Sequence, residues 1–149
     1  MKVIKNDGSK EPLDLQKFRN SLIWAKQDYK NVSISDIELQ CKLHIYDGIP
    51  TSYMLDVAIK ATYDMSSLRH HEYDAVSRNL KLQKLYKQVF QSTEPYTLKE
   101  HIQKNKEHYG DAILSYSDDE LIELETYIEH SRDFSFTASG LDKTINNDI

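Results

Sequence analysis

Four lysines, Lys2, Lys5, Lys10 and Lys17, fall within the first turns of the chain, interleaved with Glu11 and Asp14. The stretch that carries most of them, Val3 to Trp24, reads VIKNDGSKEPLDLQKFRNSLIW. Asp7-Gly8 between two short extended runs is a hairpin signal, because Gly takes the positive φ that the turn requires. An amphipathic helix follows, with Asp14 at its start. A lysine-bearing hairpin folded over a helix start suits an anionic ligand. Free N–H groups and a partial positive charge at the helix end add to the full charges of the lysines. The same lysines also suit a solvated hairpin that resists edge-to-edge pairing, so spacing alone leaves both readings open.

Other constellations offer less chemistry. His70-His71 invites a metal, yet adjacent helical residues point about 100° apart and no third ligand stands at metal spacing. His44, His101, His108 and His130 are scattered. No glycine-rich phosphate loop is present, so ATP hydrolysis has no support. No Ser–His–Asp or Cys–His arrangement stands out. Asp118-Asp119 reads as a helix-start charge pair rather than an acid and base. Tyr53, Tyr63, Tyr73, Tyr86 and Tyr127 sit within helical patterns, where packing accounts for them.

Length and composition bound the class. With 149 residues, 39% hydrophobic and 29% charged, the chain suits one soluble globular domain, or one with an appendage. No apolar run approaches the roughly 18 residues of a membrane helix. No apolar leader segment precedes the hairpin. The single cysteine, Cys41, excludes an internal disulfide and suits a reducing compartment. It lies on an apolar helical stripe, as a small buried hydrophobe would. Residues 111–149 hold ten acids against two bases, a net charge of −8, leaving +3 for residues 1–110. The acidic end would repel nucleic acid, so a phosphate-bearing partner belongs at the other end.

The elements that would position these residues are mostly helical. Leu15, Phe18, Leu22 and Ala25 repeat at helical spacing to about Asp28, with Asp14 as N-cap. Ser35 and Glu38 predict a capping box for a second helix carrying Ile37, Cys41 and Ile45, ended by Gly48. Pro50 breaks the chain, and Thr51 is expected to cap a third helix with Met54, Val57, Ala58, Ala61, Met65 and Leu68 inside. A fourth helix runs from Tyr73 to near Phe90. Four such helices with short connections read as a bundle. Ser92–Pro95 is the best internal boundary. Thr97 then caps a short helix broken at Gly110, and Ser117 with Glu120 caps another; after His130 the pattern fades. The expected fold is mainly α: a small β-hairpin cap on a four-helix bundle at 1–91, then a short helical appendage at 92–149.

The chain also resembles a known family. Val3, Lys5, Asp7, Gly8, Glu11, Leu13, Asp14, Lys17, Trp24 and Ala25 match the opening of an ATP-cone domain. NVSISDIEL, YDGIPTS and AIKA continue the match in the same order, over Asn31–Leu39, Tyr46–Ser52 and Ala58–Ala61. Glu129–Phe136, EHSRDFSF, is similar to a segment just beyond the cone in large subunits of class I ribonucleotide reductases. The likeness covers nearly the whole chain.

The resemblance implies a regulator of overall activity that binds ATP or dATP as an allosteric effector, in the cytoplasm. Its partners would be the remainder of the reductase large subunit and the radical-bearing small subunit, with no nucleic acid, membrane or metal. It implies nucleotide contacts at Val3, Lys5, Glu11, Asp14, Lys17, Thr51 and Lys87. Glu11 and Asp14 would face adenine, Lys5 and Lys87 the phosphates, and Lys17 and Thr51 would complete the pocket. Three positions depart from the family. Asn6 replaces an Arg, Asp14 replaces the commoner Asn, and Leu55 replaces a His near the sugar. The lost His predicts weak binding or poor discrimination between ATP and dATP. The alternative is a structural and interaction module whose degenerate cone docks the rest of the subunit. The redox and radical cysteines of such enzymes lie downstream in the family, and no catalytic residue is expected here. The chain would then be a truncated regulatory region or the N-terminal piece of a large subunit encoded in two parts. The polar end Asn146–Ile149 suits a genuine chain end. A transcriptional regulator built on a cone would need paired zinc-binding cysteines, which one cysteine does not supply.

Overall fold

A computed structural model describes residues 1–92 and 94–148. Thr93, inside the expected boundary, and Ile149, at the polar end, lie outside the described residues. The element order is β1 (Lys2–Ile4), β2 (Lys10–Pro12), α1 (Leu15–Lys26), α2 (Ile34–Lys42), β3 (Ile49–Pro50), α3 (Thr51–Leu68), α4 (Glu72–Phe90), α5 (Leu98–Lys104), α6 (Asp111–Leu114), α7 (Asp118–Glu125) and α8 (Ala138–Asp148). Short 3-10 turns cover Lys106–His108 and His130–Ser135. The chain divides into two compact units, Met1–Lys84 with Phe136–Ile149, and Leu85–Ser135.

In the first unit, the hairpin forms as expected, with Gly8 at φ +84°. Lys5 N–H donates to the Ser9 carbonyl, and Asp7 accepts from both the N–H and the hydroxyl of Ser9. Those two bonds, the hydroxyl first, hold the exposed Asp7 carboxyl below its ordinary pKa. The hairpin is not alone. Ile49 and Pro50 add a third strand parallel to β1, giving the order β2-β1-β3. Two residues between a glycine and a helix are too few to show strand alternation.

The bundle closes over Phe18, Leu22 and Ala25 of α1, Ile37 and Cys41 of α2, Met54, Ala58 and Met65 of α3, and Val76 and Leu80 of α4. These are most of the apolar stripes read from the sequence; Leu15 and Leu68, expected on the same stripes at opposite helix ends, are exposed. Val3 and Ile49 bury the sheet against the same core. Cys41 is fully buried, and desolvation pushes its thiol up to about 12, so it is inert packing.

Polar contacts set the course of α4. Glu72 accepts from Asn31 N–H, the Tyr73 hydroxyl accepts from Ser33 N–H, Arg78 donates to the Tyr29 hydroxyl, and Asn79 donates to the Ala25 carbonyl. The first three partners lie in the α1–α2 connection, and Ala25 lies in the last turn of α1. Ser77 donates to the Ile59 carbonyl and Lys84 pairs with Asp56 at 2.6 Å, so α4 also runs against α3. Within the first unit, the register with α3 carries α4 toward the end of α3 that adjoins the sheet. The α8 helix, which the faded pattern did not predict, is fastened to α4. Arg78 donates to the Phe136 carbonyl, Lys81 pairs with Asp142, and Ala138 and Leu141 are buried.

The second unit is built on rings. Phe90 meets Tyr96 edge-on at 4.7 Å, and Lys104 lies 4.4 Å from the Tyr96 ring centroid. The Tyr86 hydroxyl donates to Asp133, which also meets His130 at 3.4 Å. Burial and that carboxylate push the Tyr86 pKa up. Thr97 and Ser117 cap α5 and α7 as expected. No helix among the described residues is long and apolar enough to cross a membrane.

Candidate nucleotide site

The sheet register pairs two of the predicted residues and brings two more next to paired positions. Val3 stands opposite Glu11 on one side and Ile49 on the other. Ile4 stands opposite Pro50, so the next residues along the two parallel strands are Lys5 and Thr51. Lys5 Nζ lies 3.3 Å from Glu11 Oε2. Val3 is buried, and it anchors the strand that presents Lys5. The two strand pairings thus set Val3 beside Glu11 and leave Lys5 and Thr51 each one residue past a paired position.

Thr51 does not cap its helix, contrary to expectation. Pro50 occupies the N-cap, Thr51 is already the first helical residue, and no side chain caps α3. Proline fixes an extended approach and has no side-chain acceptor to offer. The start of this 18-residue helix therefore presents N–H groups without a capping partner, which favours an anion. Reading Thr51 as the cap hid this feature. The signal was Pro50 itself, with Ile49 rather than Ser, Asn or Asp directly before it.

The α1 start behaves differently. Asp14 accepts from the N–H groups of Gln16 and Lys17 at 3.0 and 3.2 Å, as a good N-cap does. The free helix end expected beside the hairpin lysines is thus closed at α1 and open at α3. Lys17 projects from the first turn and is exposed. Glu11, Leu13, Asp14 and Lys17 line one open hollow.

Lys87 stands in the last turn of α4, in the second unit. It has no acidic partner among the described residues, and partial burial pushes its pKa down. Of the departures, Asn6 lies exposed in the hairpin loop. Leu55, one turn beyond Thr51, is buried in the core. A hollow of about 570 Å³ lies elsewhere, against Gln40, His44, Tyr53, Asp56, Lys60 and Arg69, and contains none of the set. Among the described residues, no group of three or more His, Cys, Asp or Glu could hold a metal ion.

Residues 1–88 match the model of the ATP cone domain. The chain belongs to the ATP cone family. The cone is followed by sequence that is also shared with larger proteins. Over 142 residues the chain is 36% identical to "Ribonucleoside-diphosphate reductase 1 subunit alpha" of Escherichia coli, covering 93% of this chain and 19% of that protein. It is 34% identical to the protein of the same name from Salmonella typhimurium, with the same coverage. It is 33% identical over 143 residues to "Ribonucleoside-diphosphate reductase subunit alpha" of Enterobacteria phage T4, again covering 93% and 19%. The chain spans about a fifth of the length of these curated relatives. The likeness runs through both units, well past the end of the cone.

Proposed function

We propose that this cone binds ATP or dATP as an allosteric effector and regulates a class I ribonucleotide reductase of which it forms the N-terminal part. The observation that carries the reading is the parallel register of Ile4 with Pro50. It supports a pocket in which Lys5 and the uncapped start of α3, each one residue past that pair, offer a triphosphate full and partial positive charge. Glu11 and Asp14 supply carboxylate acceptors for the adenine amino group, and Lys17 a further cation. Val3 sets the strand. Lys87, which the family likeness also implies as a phosphate contact, is a half-buried ammonium with no acidic partner among the described residues, which suits an anionic one.

No residue of the chain is assigned a catalytic role. The reduction of ribonucleotides would belong to the remainder of the large subunit working with a radical-bearing small subunit, in the cytoplasm. The cone would act by population shift, with nucleotide favouring one arrangement of those parts over another. Leu55 offers no polar atom to the sugar, so ATP and dATP should bind with similar affinity.

Isothermal titration with ATP and with dATP tests the reading. Saturable binding at one site is expected, weakening as salt rises. A folded chain that gives no heat at millimolar nucleotide would remove the sensing role.

A further inference from the structure

We propose that Glu11 gates Lys5, so that the adenine base licenses phosphate binding at this site. The proposal rests on the nucleotide reading above and deepens it.

Lys5 and Glu11 are engaged with each other across the hairpin at 3.3 Å, with side chains 47% and 32% exposed. The other acid in the loop, Asp7, is occupied by the Ser9 N–H and hydroxyl. Lys5 is therefore drawn toward β2, whereas Thr51 and the open end of α3 lie on the β3 side of its strand. A triphosphate arriving alone meets two obstacles. Its nearest cation is held by a carboxylate, and that carboxylate repels the phosphates.

Adenine relieves the first. Its exocyclic amino group donates to Glu11, which satisfies part of the carboxylate's demand and loosens its hold on the ammonium. Lys5 can then turn to the phosphates. Half-exposed lysine stems rearrange at little cost, so the switch needs no backbone movement. Base and phosphate binding become coupled, and the coupling is reciprocal: each fragment binds better in the presence of the other. The site thereby selects adenine nucleotides by more than the base contact alone.

Titrations of the whole chain with inorganic tripolyphosphate, adenosine and ATP test this. An exposed ion pair of this kind corresponds to a two- to fivefold effect, roughly. Glu11→Gln should tighten tripolyphosphate by about that factor and weaken adenosine. In the Lys5→Met background the same substitution should tighten tripolyphosphate by a smaller factor, because only the carboxylate's repulsion is removed and no ammonium remains to be released. Thermal melts of all variants check that the fold persists. Equal tightening in both backgrounds would mean simple removal of a negative charge and overturn the gate. So would an unchanged tripolyphosphate affinity in Glu11→Gln while wild type binds ATP. If the wild-type chain takes up neither ATP nor tripolyphosphate, the nucleotide reading itself falls and the gate with it.

Discussion

The Asn79 carboxamide donates to the Ala25 carbonyl over 2.7 Å, bridging 54 positions of sequence. Ala25 sits in the last turn of α1, where carbonyls lack partners within the helix. Both residues are fully buried. Asn79→Leu should therefore leave that carbonyl orphaned and cost about 1–3 kcal/mol. Urea denaturation gives the figure. A loss below a few tenths would show that the α1–α4 junction is held by apolar packing alone.

Gln83 predicts the opposite sign. Its side chain is 1% exposed and its Oε1 has no hydrogen-bond partner among the described residues. Gln83→Met keeps the shape and removes the unmet carbonyl oxygen. It should raise stability by about 1 kcal/mol, read as a higher denaturation midpoint. A lower midpoint would mean that the carboxamide has a structural role.

Asp14 does two jobs that substitutions can separate. Asp14→Ala removes the cap of α1 and should cost about 1 kcal/mol. Asp14→Asn keeps the cap and should change stability by only a few tenths, since Asn and Asp cap about equally well. Any change in ATP affinity in Asp14→Asn then reports on the ligand rather than the fold. Paired melts and titrations separate the two roles.

Lys17 is exposed and projects beside that cap, free to meet phosphate. Lys17→Met should weaken ATP roughly five- to tenfold, about 1–1.4 kcal/mol, and flatten the salt dependence of binding. Stability should stay within about 0.5 kcal/mol. An unchanged affinity would place Lys17 outside the site.

Lys87 predicts a dependence on pH. Burial lowers its folded pKa below the unfolded value. The protonated side chain therefore opposes folding at neutral pH, and the penalty fades as pH rises through the folded pKa toward the unfolded one, about 10.4. Lys87→Met should be more stable than wild type near neutrality, with the gap narrowing toward about pH 10. A variant less stable than wild type at neutral pH would contradict the assignment.

The bundle was legible because its signals are periodic. Phe18, Leu22 and Ala25, or Ile37 and Cys41, declare their faces by spacing, and all five are buried. Asp14, Thr97 and Ser117 declare helix starts by a single favourable acceptor. Where two acceptors compete, local reading fails. The second helix starts at Ser33 rather than Ser35, with Ser33 accepting from Asp36 N–H. Ile49-Pro50 and α8 were illegible for another reason. Each is made by its partner: β1 turns two residues into a strand, and α4 supplies Arg78 and Lys81 to a polar tail. The site followed the same division. Kinship named its residues, but spacing could not tell that Lys5 would meet Glu11 or that the open helix end would be at α3.

Pro50 ends β3 and begins α3 with nothing in between, so strand and helix share one joint without slack. Adding a single residue there would rotate the first turn of α3 by about 100° relative to Lys5, whereas an added residue within the Lys5–Ser9 loop would move neither partner. Length variation among cones should therefore be tolerated at the hairpin tip and forbidden at this joint, wherever the pocket is still in use.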